Sequence, residues 1–166
     1  PAFAARYGGG PSAEEDGTLT LVAADGSQTI TERYNIVFAT PYYDDLDGNG
    51  THELLVPLFS GASNTVYAIW FDPGEGSPLV RGEEFPAVGF GRSQNGEVVA
   101  IGHVSAAESV YTFSRIAGGV MTTIAGAFVD VAAGTCRVED FGGLGALGLT
   151  DDAARERFCG DPVITG

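Results

Sequence analysis

The sequence predicts a mainly β fold, an antiparallel meander or sandwich of about seven to nine strands with a short C-terminal helix. Composition is the first reason: 44% of the 166 residues are hydrophobic, and 25 glycines and 8 prolines provide many turns. The second reason is that short β-branched and aromatic runs alternate with turn dipeptides as far as residue 131. This pattern is typical of an ordered domain with a sizeable core, not of a disordered chain.

The sequence divides into three predicted segments. Residues 1–17 are rich in glycine and acidic residues and form an N-terminal arm, residues 18–131 form the β domain, and residues 132–166 form a C-terminal extension. The predicted strands of the β domain are, in order, Thr18–Ala24, Gln28–Ala39, His52–Phe59, Thr65–Asp72, Val98–Val104, Ser109–Ile116 and Val120–Val129.

Short turn motifs separate several of these strands. Asp25-Gly26, Asn95-Gly96 and Gly118-Gly119 favour hairpins, because glycine and asparagine readily adopt positive φ. Pro57 lies within a predicted strand but cannot donate a ladder hydrogen bond, so it indicates either an edge strand or a bulge.

The C-terminal extension contains the predicted helix. Thr150 is a suitable N-cap residue, and Asp151 and Asp152 suit the positive end of a helix that continues to about Phe158. We therefore expect a short helix here, after a sequence that otherwise favours strands.

Cys136 and Cys159 are the only cysteines. Their number and spacing favour a disulfide, formed in an oxidising compartment, that staples the extension onto the β domain. Two buried free thiols in a reduced protein remain the alternative interpretation.

The segment from residue 45 to residue 53 has the pattern of a cation-binding loop. Oxygen-bearing side chains occupy loop positions one, three, five and nine, and Gly50 at position six suits a sharp turn with positive φ. Calcium binds six to eight oxygen ligands, which such a loop can supply. The predicted Ca²⁺ ligands, which include one backbone carbonyl at Thr51, are Asp45, Asp47, Asn49, Thr51 and Glu53.

The end of this loop separates two families of calcium loop. An EF-hand or dockerin loop has a bidentate glutamate at position twelve, where this chain has Val56, and it is flanked by helices. The segment Tyr43–Val56 instead resembles the calcium loop of FG-GAP repeats, which occur in integrin-type β-propellers. The resemblance implies a Ca²⁺ site closed at position nine, with Glu53 where aspartate is commoner. The loop occurs once, so the propeller fold is not implied.

A plain polar turn is the alternative interpretation of the same residues, since Asp, Asn and Gly also favour ordinary turns. The filling of every ligand position and the apolar run that follows favour the metal site. His52, at position eight, is expected to point away from the ion.

Charge and cysteine use predict where the protein acts. The formal net charge of −14 repels nucleic acid and anionic lipid, so nucleic-acid binding is excluded as a predicted function. A disulfide and a calcium loop both suit an exported protein, secreted or periplasmic, whose signal peptide has been removed. The sequence contains no run of 18 apolar residues, so no transmembrane segment is predicted.

Recognisable catalytic motifs are missing from the sequence. His52 and His103 are distant from each other, and no nucleophile elbow, phosphate loop or zinc-protease motif is present. The favoured function is a non-catalytic, calcium-stabilised β domain that acts by protein contact, by self-assembly or within a larger assembly. The alternative is a hydrolase or carbohydrate-binding module. For that alternative, the aromatic residues proposed to stack on sugar are Tyr42, Tyr43, Trp70 and Phe71.

Overall fold

The computed structural model describes residues 2–9, 16–35, 40–74 and 77–166. Within these ranges the chain forms twelve strands in three antiparallel sheets, followed by short helices. The prediction of a mainly β chain with a short C-terminal helix is confirmed. The strands outnumber the predicted seven to nine, and some of the additional ones, such as β4 and β8, have only three or four residues. Parts of the predicted arm and of the strand Gln28–Ala39 lie outside the described residues.

The elements follow one another in a simple order. The strands are β1 (Phe3–Gly8), β2 (Gly17–Ala23), β3 (Thr29–Tyr34), β4 (Tyr42–Asp44), β5 (Glu53–Ser60), β6 (Thr65–Phe71), β7 (Val80–Ala87), β8 (Gly89–Arg92), β9 (Val98–His103), β10 (Glu108–Ala117), β11 (Val120–Asp130) and β12 (Thr135–Asp140). The helices are α1 (Asp151–Cys159) and α2 (Pro162–Thr165). Neither helix in the described part of the chain has the length and apolar character needed to cross a membrane.

The chain clusters into two compact units. The first consists of Pro1–Asp45 and Gly50–Phe85, and the second of Leu46–Asn49 and Pro86–Gly166. The division at Phe85 falls inside the segment that the sequence predicts as one β domain.

The first unit has two sheets, β1-β2-β3 and β4-β5-β6-β7. Alternate residues of β2 and β3 are buried, as expected for strands with one face on a core. Along β5 the first six residues are all buried, which is typical of an inner strand. Pro57 lies at an irregularity in the β5–β6 register, so the bulge interpretation is confirmed. The main core cluster draws on both sheets and contains Leu19, Leu21, Ile30, Tyr34, Leu54, Val56, Leu58, Ala68 and Leu79.

A buried carboxylate joins the two sheets of the first unit. Glu32 on β3 accepts hydrogen bonds from Trp70 Nε1 at 2.9 Å and from Arg81 Nε at 2.7 Å. Glu32 is 6% exposed, and Trp70 and Arg81 lie on β6 and β7. The charge of Arg81 offsets the cost of burying the carboxylate, so this contact fixes how the sheets pack.

The second unit packs α1 against a five-stranded sheet of order β12-β11-β10-β9-β8. Phe158 of α1 lies against Phe113 of β10, with ring centroids 4.8 Å apart. The predicted helix is confirmed. Thr150 is its N-cap residue, and the Thr150 side chain accepts a hydrogen bond from Ala153 N–H. The main apolar cluster here contains Val99, Phe113, Ile124, Ala125, Ala127, Leu144, Ala154 and Phe158.

The predicted disulfide is confirmed. Cys136 on β12 bonds to Cys159 at the end of α1, with Cα atoms 6.0 Å apart. The bond closes a loop with a sequence separation of 23 residues. In the chain-entropy model such a loop contributes about 3 kcal/mol to stability, so the bond holds the last turn of α1 on the sheet.

Glu97 forms a second buried ionic contact, beside the hairpin turn at Asn95-Gly96. Its carboxylate is fully buried and pairs with Arg157 of α1 and with Arg115 of β10, the latter at 3.3 Å. Burial favours the neutral acid, but the hydrogen bond from Ser93 Oγ and the charge of Arg157 outweigh it. These contacts hold the pKa of Glu97 below its ordinary value of 4.5.

The first prediction concerns this contact. Because its pKa is lowered in the folded chain, Glu97 stabilises the fold above about pH 4.5. That contribution is lost as the pH falls through the folded-state pKa. We expect Glu97→Gln to cost about 2 kcal/mol at pH 7, because it leaves two guanidinium groups without their carboxylate. We also expect the variant to lose stability less steeply than the wild type below pH 4.5, as measured by urea unfolding.

The exposed residue Glu156 on α1 provides the control. Glu156→Gln should leave the stability at pH 7 close to that of the wild type. Equal effects of the two substitutions would contradict a specific role for Glu97.

Candidate metal centre

The candidate loop connects β4 to β5 as a hairpin. These strands pair in antiparallel register, and Asp44 lies opposite Glu53. This pairing brings the two ends of the loop together. The first and last predicted ligands, Asp45 and Glu53, therefore lie close to each other.

Three carboxylates converge in this hairpin. One carboxylate oxygen from each of Asp45, Asp47 and Glu53 lies within 4.8 Å of the others. Asp45 and Asp47 are half-buried, and Glu53 is only 1% exposed. Carboxylates at this separation repel one another, and a bound cation would offset that repulsion. The cluster could therefore hold a metal ion.

Hydrogen bonds within the loop orient two of these carboxylates. Asp47 accepts from the backbone N–H of Asn49 at 3.1 Å and from its side-chain amide at 3.0 Å. Asp45 accepts from Gly50 N–H at 3.1 Å. The loop thus fixes both aspartates through its own backbone, as turns of this composition commonly do.

Two glycines make the sharp bends of the loop. Gly50 has a φ of +86°, which confirms the predicted turn, and Gly48 has a φ of +76°. Residues other than glycine rarely adopt these backbone angles, since their Cβ atom would approach the following carbonyl oxygen. The glycines allow the loop to turn tightly enough for its carboxylates to converge.

Arg92 supports the tip of the loop, and the sequence alone did not predict it. Its Nε donates to the carbonyl oxygen of Leu46 at 3.4 Å, and its guanidinium group lies beside Gly48. Leu46 is 4% exposed, so it anchors the loop tip. Arg92 is 46 residues away along the chain, and no local motif connects it to the loop.

The other residues singled out in the sequence have different surroundings. Asn49 is exposed and Thr51 is half-buried, and their roles as ligands remain predictions. His52 is exposed. His103 is an exposed residue of β9 whose Nδ1 lies 3.2 Å from Ser109 Oγ. Among the described residues, the cluster of potential metal ligands contains Asp45, Asp47 and Glu53 and neither histidine.

The four aromatic residues considered for sugar stacking do not share one exposed surface. Phe71 is 2% exposed, and Trp70 is committed to its hydrogen bond with Glu32. Tyr42 and Tyr43 are partly exposed on β4, and Tyr42 packs edge-on against Tyr67 with ring centroids 6.1 Å apart. Burial raises the pKa of the Tyr42 hydroxyl, and the neighbouring Tyr67 raises it further.

Comparison of the chain with protein-family models, curated proteins and solved structures gave no match.

The second prediction tests the turn. Gly50→Ala should lower the free energy of unfolding by about 1 kcal/mol, because alanine resists the positive φ at this position. The added methyl group itself would meet nothing within 4 Å, so the effect isolates the backbone angle. The measurement is chemical denaturation in the presence of a chelator.

Gly89→Ala is the matched control. A Cβ atom there also meets nothing within 4 Å, but the φ of Gly89 is not positive. We expect no loss of stability at Gly89, and a loss equal to that of Gly50→Ala would contradict the strain argument.

Proposed function

We propose that the hairpin loop binds calcium and that the ion stabilises an exported, non-catalytic β domain. The convergence of Asp45, Asp47 and Glu53 carries this proposal. Loop positions one, three and nine provide these three carboxylates. Asn49 at position five and the carbonyl of Thr51 at position seven complete the proposed ligand set.

The chemistry of the donors favours calcium among the common metals. All of the proposed ligand atoms are oxygens, which suit a hard cation, whereas zinc sites in proteins usually contain histidine or cysteine. The resemblance of Tyr43–Val56 to the FG-GAP loop supports the same ion. The long side chain of Glu53 can provide either one or two oxygens to a cation with flexible coordination.

The position of Glu53 supports a structural role for the ion. Glu53 is the first residue of β5, and the buried residues Leu54, Leu55 and Val56 follow it. An ion held by both ends of the loop would tie β4 to this inner strand. Binding to the folded state alone raises stability by mass action.

The disulfide supports the exported location. Disulfides such as Cys136–Cys159 persist in oxidising compartments and are rare in the cytosol. Calcium sites of extracellular modules bind with dissociation constants of about 0.1–1 mM. A secreted or periplasmic protein would experience both conditions.

An exposed edge strand supports action by protein contact. β1 lies at one edge of its sheet, and five of its six residues are exposed. The backbone groups of an edge strand can pair with a strand from another chain. We propose that this edge takes part in self-assembly or in a larger extracellular assembly.

The third prediction tests the calcium site by thermal unfolding with chelator and with about 1 mM Ca²⁺. For a dissociation constant of about 0.1 mM, calcium contributes about 1.4 kcal/mol and raises Tm by about 3–6 °C. Asp47→Ala should abolish most of this rise. A parallel titration with Mg²⁺ tests whether the site prefers calcium.

Asp25→Ala provides a matched control, because Asp25 also accepts a backbone hydrogen bond from the residue two positions later. This variant should keep the full calcium-dependent rise. If wild-type Tm does not respond to Ca²⁺, or if both variants lose the response equally, the proposed calcium site is wrong.

The fourth prediction tests assembly through β1. Sedimentation velocity of the wild type should show oligomers whose population grows with protein concentration. Ala5→Lys places a charge on the edge strand and should favour the monomer, since lysine on edge strands opposes pairing between chains.

Val120→Lys is the control, because Val120 is exposed on another sheet. It should sediment like the wild type. If the wild type stays monomeric at all concentrations, self-assembly through β1 is wrong. The edge strand could then act only in contact with a different protein.

A further inference from the structure

A cleft of about 480 Å³ opens in the first unit, apart from the metal loop. It lies where the end of β3 meets the end of β5. Asn35 and Phe59 form a parallel bridge there, and Asn35 N–H donates to Leu58 O at 2.6 Å. The volume lies within the range of small-molecule sites, about 300–1,000 Å³. The size and position of the cleft therefore suit a ligand larger than a single ion.

The apolar lining of the cleft includes one exposed aromatic ring and two buried side chains, Tyr34 and Leu58. Phe59 is 46% exposed, although it belongs to a strand whose first six residues are buried. Tyr34 is 4% exposed, and its hydroxyl donates to Gly9 O at 3.4 Å. The exposed ring of Phe59 can stack against the apolar face of a flat ligand.

Polar groups of both hydrogen-bonding types line the same cleft. Arg33 and Asn35 offer donors, and Asp16 and Glu84 offer carboxylate acceptors. Within the described part of the chain, the side chains of Asp16, Arg33 and Asn35 form no hydrogen bond or ion pair. Glu84 is held in place by Arg81 Nη2 at 2.8 Å. The cleft therefore presents both donors and acceptors around the ring.

We propose that this cleft binds a neutral oligosaccharide of hexose units. Each sugar hydroxyl both donates and accepts, so neighbouring hydroxyls can use the donors and the acceptors together. The C–H face of a pyranose ring provides the apolar surface for Phe59. The cleft is lined by two carboxylates, of Asp16 and Glu84, and by one guanidinium group, of Arg33. This excess of negative charge disfavours an anionic ligand. This inference is independent of the calcium site, since the cleft and the loop share no residue.

The fifth prediction tests this cleft with the full chain in the presence of Ca²⁺. Cellotetraose, maltotetraose and mannotetraose are titrated separately and followed by protein NMR chemical shifts. We expect at least one of them to bind with a Kd on the order of 1 mM or tighter. Phe59→Ala should weaken that binding about tenfold or more, since stacking is lost. Arg33→Ala should weaken it as well.

Phe141→Ala is the matched control, because Phe141 is also 46% exposed but lies outside the cleft. It should bind the sugar like the wild type, and an unchanged Tm establishes that each variant is folded. Absence of binding by all three sugars would overturn the proposal. So would binding that survives Phe59→Ala, or selective binding of a dipeptide such as alanyl-alanine, which would indicate a zwitterionic ligand.

Discussion

A shortage of positive charge constrains the packing of this chain. Eight arginines and no lysine face 22 acidic residues, yet glutamates are buried at several points of the fold. A buried carboxylate is stable only when charged or hydrogen-bonding partners offset its loss of water. The charge of Arg81 offsets the cost of burying Glu32. The charges of Arg115 and Arg157 do the same for Glu97. The few arginines with buried partners are therefore placed where distant segments of the sequence meet.

The acidic cluster in the loop between β4 and β5 is subject to the same constraint. Glu53 is as deeply buried as Glu97, and two further carboxylates converge on it. A divalent cation at this cluster would add positive charge beside the three carboxylates, and it would do so only where that cation is abundant. Glu32 and Glu97 depend on no ion from the solution, because their partner charges belong to the chain. If the loop binds calcium as proposed, it adds a contribution to stability that depends on the calcium concentration around the protein.

Local signals explain which features could be predicted from the sequence. The hairpins at Asp25-Gly26 and Asn95-Gly96, the N-cap at Thr150 and the turn at Gly50 each depend on residues within a few positions of one another. The convergence of Asp45, Asp47 and Glu53 was predictable for the same reason, since nine consecutive residues contain it.

The remaining features depend on contacts between distant residues. Glu32 and Arg81 are 49 residues apart, and Glu97 and Arg157 are 60 apart. Arg92 beside the loop and the cleft between β3 and β5 arise in the same way. No local pattern identifies such partners, because their contacts exist only after the sheets have formed. Short strands such as β4 and β8 were also missed, since three or four residues show too little alternation.

Trp70 gives the molecule an internal optical label. It is the only tryptophan, it lies in the first unit, and it stands opposite Leu54, the residue after Glu53. Its indole N–H donates to the buried Glu32. Tryptophan emission therefore reports on the first unit alone, whereas circular dichroism of the backbone reports on both units. When the two signals are followed in one unfolding experiment, they reveal whether the units melt together or in turn, without a dye or an added chromophore.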